Sequence, residues 1–98
     1  MPEPKIPESV LVVVHTPALA VLLLERAAHR GYWQSVTGSK DRWAESLVQT
    51  ARREVDEETG IDVDGPGCVL SDWRERGYWE IWRQWRHRYA DGVTHNTV

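Results

Sequence analysis

The stretch ARREVDEETGI, residues 51–61, sets three glutamates within about one helical turn beside an arginine pair and then meets a glycine. Leu47, Val48, Ala51 and Val55 recur at helical spacing through it, so a helix is predicted from about Glu45 to Thr59. Asp41 is the expected cap upstream, and Gly60 stands where a left-handed residue ends a helix. With Leu47 at zero, Val48, Ala51 and Val55 fall at roughly 100°, 40° and 80°, a coherent buried stripe. Glu54, Glu58 and Glu57 fall at roughly −20°, 20° and −80°, along one border of that stripe. Like charges at such spacing repel by a few tenths of a kcal/mol per pair. A divalent cation among the carboxylates would offset this, and hard oxygen ligands suit Mg²⁺ or Mn²⁺. The bland alternative is a solvated acidic face, with Arg53 and Glu57 an ordinary i,i+4 pair.

The rest of the chain limits the setting. Ninety-eight residues make one small α/β domain with a modest core. A net charge of −3 argues against a general nucleic-acid binder, while local basic clusters leave an anionic small molecule open. Cys68 is the single cysteine and forms no internal disulfide, which fits a reducing cytoplasm. The start MPEPKIPES lacks the features of a signal peptide, and the apolar stretch 10–24 is too short and too interrupted to span a bilayer. A cytoplasmic location with no membrane partner is therefore expected.

Strands are expected at Ser9–His15 and Ala20–Arg26, and at WQSVTGS (33–39), which runs into a glycine turn at Gly38. CVLSDW (68–73) reads as a strand, and YWEIWRQWRHRY (78–89) alternates like a long one. Strands, a helix and further strands make a mixed α/β sheet.

The pattern R-E-apolar-x-E-E-x-G-apolar in residues 53–61 arises by chance in a chain this long with a probability on the order of 10⁻⁵. Together with Glu45 eight positions before Arg53, it resembles the Nudix box, G-x5-E-x7-R-E-U-x-E-E-x-G-U. The one departure is Gly38, which precedes Glu45 by x6 rather than x5. Either the loop carries one extra residue or Ser39 takes the glycine position. The segments GYWQSVTGS and RHRYADGVTHNT look like the dihydroneopterin triphosphate diphosphatase branch of the family.

The resemblance implies a Nudix-type mixed sheet with a catalytic loop–helix–loop, and a metal-assisted hydrolase. It would release pyrophosphate from dihydroneopterin triphosphate in folate biosynthesis and leave the monophosphate. Family members continue with C-terminal strands and a helix that this chain is expected to lack. By matched position, Glu54, Glu57 and Glu58 would hold the metal, while Glu45 and Arg53 would pair to hold the loop. Lys5, Arg26 and Thr37 would touch a triphosphate, which two cations and a hydroxyl suit. Trp79 and Trp33 could stack on a flat pterin or serve packing. Arg86, His87 and Arg88 could steer an anion or form a solvated strand end. His15, His29 and His95 have no metal-ligand spacing. A different class stays open: an inert Nudix-like fragment that binds an anion or a partner chain through an uncovered sheet, as does a Nudix hydrolase of other nucleoside triphosphates.

Overall fold

A computed structural model describes residues 3–98. Strand β1 (Ser9–Val12) pairs antiparallel with β4 (Val36–Ser39), and helix α1 (Leu47–Thr59) packs on both. β2 (Leu24–Glu25) and β3 (Trp33–Gln34) form a short hairpin, and β5 (Tyr78–Glu80) pairs antiparallel with β6 (His95–Thr97). The chain entering β1 joins the two larger pairs. The Glu8 carbonyl accepts from the Lys40 N–H after β4, while the Pro7 carbonyl accepts from the Thr97 N–H in β6. Successive carbonyls on a strand point opposite ways, so this segment lies between β4 and β6. A parallel bridge of Glu8 with Thr97 makes the arrangement mixed, as expected.

The helix begins later than predicted. Ser46, not Asp41, is its N-cap: Ser46 Oγ accepts from the Gln49 N–H, and Gln49 Oε1 accepts from the Ser46 N–H. This reciprocal pair satisfies two backbone donors at once. The far end is as expected, with Gly60 at φ 76° and its N–H bonded to the Asp56 carbonyl. The buried stripe differs from the apolar pattern. Val48 is exposed, whereas Thr50 is fully buried beside Ala51 and Val55. Thr50 is admitted because its hydroxyl lies 2.8 Å from Glu45 Oε1 and 2.9 Å from the Ser46 carbonyl.

Several expected strands are shorter or absent. Regular pairing in β1 stops at Val12; beyond it, His15 bridges Val21 around a turn in which Leu19 has φ 64°. Gly38 lies within β4 rather than in a turn. Residues 68–73 form no strand, since nothing among the described residues pairs with them and Val69 is 89% exposed. The alternating run 78–89 breaks after Glu80 into a 3-10 helix, Arg83–Arg88. Arg86 turns back to donate to the Ile81 carbonyl (2.9 Å) and to Glu80 (2.7 Å), which closes that turn. The bend brings Tyr89 into a parallel bridge with Lys5.

The core is small: Ile6, Val36, Ala51, Val55 and Ile81 are its buried apolar side chains among the described residues. No helix of the described residues is long and apolar enough to cross a membrane. Because so little apolar area is buried, the cap should matter. Ser46→Ala is expected to cost about 1 kcal/mol, read as a lower denaturant midpoint at unchanged slope.

Candidate active site

Glu45 and Arg53 form the centre of the site. The carboxylate takes a two-pronged approach from the guanidinium: Nη2 donates to Oε1 at 2.9 Å and Nε to Oε2 at 3.1 Å. Glu45 Oε1 also accepts from the Asp41 N–H and the Thr50 hydroxyl. Arg53 Nη2 donates to the Ser39 carbonyl at 2.8 Å, which ties the helix to the end of β4. Its Nη1 reaches Glu54 at 2.8 Å and, more weakly, Glu57 at 3.4 Å. One guanidinium therefore locks the 40–46 loop, the strand end and two helix carboxylates together. Glu45 is 8% exposed, and the Arg53 guanidinium holds its carboxyl down at about 2.

The geometry at Gly38 explains the spacing of the box. A Cβ at Gly38 would run into the Glu54 carboxylate, so its bare backbone is what lets Glu54 lie against β4. Ser39 serves a different contact, because its buried hydroxyl bonds Ser9 Oγ at 3.1 Å, and Ser9 in turn bonds Asn96. Gly38 thus fills the glycine position, and the loop to Glu45 carries the extra residue.

Glu58 differs from its neighbours. Its carboxyl is pushed up by partial burial and by the charge of Glu54, with Glu57 adding to the repulsion and the Thr37 N–H opposing it. Glu57 and Glu58 also lie in the last turn of α1, where the helix dipole disfavours negative charge. Arg53 is bonded to Glu54 and Glu57, and no bond to Glu58 accompanies these. Among the described residues no three acidic, imidazole or thiol side chains converge as a ready cation cage. The chemistry of the donors suits a hard divalent cation, since all three are carboxylates and Glu58 feels the charge of Glu54 and Glu57.

Beside the carboxylates lies a cleft of about 840 Å³. Lys5, Arg26, Thr37, Glu58 and Trp79 all line it, so the sequence-predicted residues from separate segments meet there. Thr37 Oγ1 donates to the Val10 carbonyl at 3.0 Å, which leaves its lone pairs for a ligand donor. Glu54 faces a smaller adjoining hollow that shares Lys5, Thr37 and Gly38 with the cleft. Trp33, exposed on the hairpin, is not part of the lining. The basic run divides: Arg86 is tied to Glu80 and Ile81, His87 is exposed, and Arg88 lines the cleft.

Sequence reasoning passed over Thr50, Trp85 and the Ser9–Ser39–Asn96 network. For Thr50 a signal existed: on the helical wheel it falls at roughly −60°, between Glu54 and Glu57. The others depend on strand order, which no local pattern reveals.

The pair at the centre yields a pH-dependent expectation. Glu45 has a lowered pKa in the fold, so its contribution is complete above the ordinary carboxylate value and is lost as pH falls toward about 2. Glu45→Gln should cost about 3 kcal/mol at pH 7. In denaturation curves at stepped pH, the gap between wild type and variant should close below the ordinary carboxylate range.

Comparisons with known proteins give the family. A family model described as NUDIX domain matches residues 5–96. A dihydroneopterin triphosphate diphosphatase of Escherichia coli (strain K12) is 45% identical over 94 residues, which is 95% of this chain and 62% of that protein. One from Haemophilus influenzae is 38% identical over 89 residues, covering 90% of this chain and 56% of the relative. The solved structure of the E. coli dihydroneopterin triphosphate pyrophosphohydrolase superposes with a TM-score of 0.85 at 43% identity, covering 98% of this chain and 66% of that one. The chain thus spans about 62% of the length of the first of these relatives. A box of matching residues, a glycine opposite Glu54 and a family match over nearly the whole chain lead to one conclusion: the chain belongs to the NUDIX domain family.

Proposed function

We propose that this chain is a metal-dependent diphosphatase that converts dihydroneopterin triphosphate to the monophosphate and pyrophosphate, within folate biosynthesis in the cytoplasm. The observation that carries this reading is the meeting of Lys5, Arg26, Thr37 and Trp79 with Glu58 around one cleft. The 45% identity to enzymes of that name supports the choice of substrate. An exposed free thiol at Cys68 fits a reducing compartment.

Glu54, Glu57 and Glu58 would hold Mg²⁺ or Mn²⁺, which supplies neutralisation of phosphate charge and acidification of a bound water. The chain's own residues do the positioning. Arg53 orients Glu54 at 2.8 Å and holds Glu57 more loosely at 3.4 Å, so Glu54 is the carboxylate with a fixed direction. Lys5 and Arg26 neutralise the phosphate chain within the cleft, while Thr37 Oγ1, whose hydrogen goes to the Val10 carbonyl, can accept only from a donor on the heterocycle or a water. Trp79, 64% exposed at the cleft wall, offers a flat face to a heterocycle. Glu58 lines the cleft beside these cations, so it brings the acidic ridge up to the phosphate chain.

Glu58→Gln is the direct test. The ionised Glu58 is disfavoured in the fold, since its pKa is raised there, so removing the charge should leave the thermal midpoint unchanged or higher. Pyrophosphate release in Mg²⁺ should fall by about 100-fold or more and should cease in EDTA. A folded wild-type chain that releases no pyrophosphate at saturating Mg²⁺ would overturn the reading. It would favour the binding-only alternative, to which the exposed Trp33, Trp43, Trp73 and Trp82 lend apolar surface.

Gly38→Ala separates geometry from folding. The atoms nearest to the added methyl all belong to the movable end of Glu54, so the fold should lose about 1 kcal/mol or less. The displaced carboxylate should weaken Mg²⁺ uptake, measured by calorimetry, by about tenfold or more.

A further inference from the structure

The basic run 86–88 places two arginines two positions apart with opposite fates. Arg86 commits its donors to Glu80 and the Ile81 carbonyl. Arg88 has no side-chain hydrogen bond or ion pair among the described residues. Its guanidinium lies instead over the Trp85 ring, 4.5 Å from the centroid. Stacking uses the face of the guanidinium and leaves its in-plane N–H donors free.

The backbone sets where those donors sit. The Arg88 carbonyl accepts from the Lys5 N–H at 2.6 Å, and the next residue, Tyr89, bridges Lys5 in parallel register. Lys5 Nζ lies 5.9 Å from the centre of the Tyr89 ring. The side chains of Arg88 and Lys5 both line the cleft, and Arg26 adds a third cation to its lining. After burial, the charges of Arg88 and Arg26 both depress the Lys5 ammonium, a repulsion that a polyanion between them would relieve.

We propose that Arg88, stacked on Trp85 and set beside Lys5, is a phosphate-binding residue of the cleft that donates to non-bridging oxygens of a polyphosphate chain. The proposal rests on reading the cleft as the site of a diphosphate hydrolase and adds a recognition element from the segment after β5. Trp85 is its positioning residue, since the guanidinium carbon rests 4.5 Å from the centre of its ring.

The test is calorimetric titration of inorganic tripolyphosphate with Mg²⁺ into the full chain and its variants, with product release followed separately. Arg88→Met keeps length and loses the donors. It should bind roughly tenfold more weakly or worse at an unchanged thermal midpoint, and Arg88→Lys should recover only part of the loss. Arg86→Met is the contrast: it breaks two internal bonds and should lower the thermal midpoint. Arg88→Met binding as tightly as wild type, while Lys5→Met is weakened, would overturn the proposal and leave the hydrolase reading intact. A wild-type chain that binds tripolyphosphate in an Arg88-dependent way but releases no product would sink the hydrolase reading and uphold this one. Wild type that takes up no tripolyphosphate would overturn it.

Discussion

The two-pronged pair of Arg53 with Glu45 is the constraint on which the rest depends. Its parts come from three places: a helix, the loop before it and the carbonyl that ends β4. Each alone is a polar group that burial would penalise. Brought together they satisfy one another, and the low pKa of Glu45 records how far the charged form is favoured. Because Arg53 also reaches Glu54 and Glu57, the pair that fastens the loop also aims the acidic side chains. The contacts that fasten the loop and those that orient the acidic side chains share one guanidinium.

This sharing matters in a molecule with so little apolar core. Five buried apolar side chains among the described residues leave much of the fold to hydrogen-bonded polar groups. Thr50 is buried against Glu45, and Ser9, Ser39 and Asn96 link β1, β4 and β6. Such networks fix position well because a misplaced partner leaves a buried group unmatched. The described residues leave no buried side-chain polar atom without a partner. The tryptophans take little part in this: Trp33, Trp43, Trp73, Trp79 and Trp82 are each at least 60% exposed.

Strand β4 separates two electrostatic roles. Gly38 admits Glu54 on the helix side, while Thr37 and Ser39 belong to the opposite face by strand alternation. Glu58 reaches the cleft from the end of α1, where it meets cations carried by the chain before β1, the β2–β3 hairpin and the segment after β5. Opposite charges therefore face each other across a space instead of pairing off. That arrangement suits an anionic ligand bound next to carboxylates.

The helix and its glycine stop were legible in residues 45–61 because period and charge spacing act within a few turns, whereas the N-cap moved from Asp41 to Ser46 and Thr50 replaced Val48 in the buried stripe. The Glu45–Arg53 pairing and the residues of the cleft were legible only through the family resemblance. The local rules failed where a partner decides the outcome. Residues 68–73 have strand composition but nothing to pair with, and the alternation of 78–89 gave way when Arg86 closed a turn on Glu80 and Ile81. The division of Arg86 from Arg88 and the role of Gly38 were likewise invisible in the sequence. Each depends on which groups lie across the fold, and a hydrogen bond or steric contact between distant segments exists only once strand order is set.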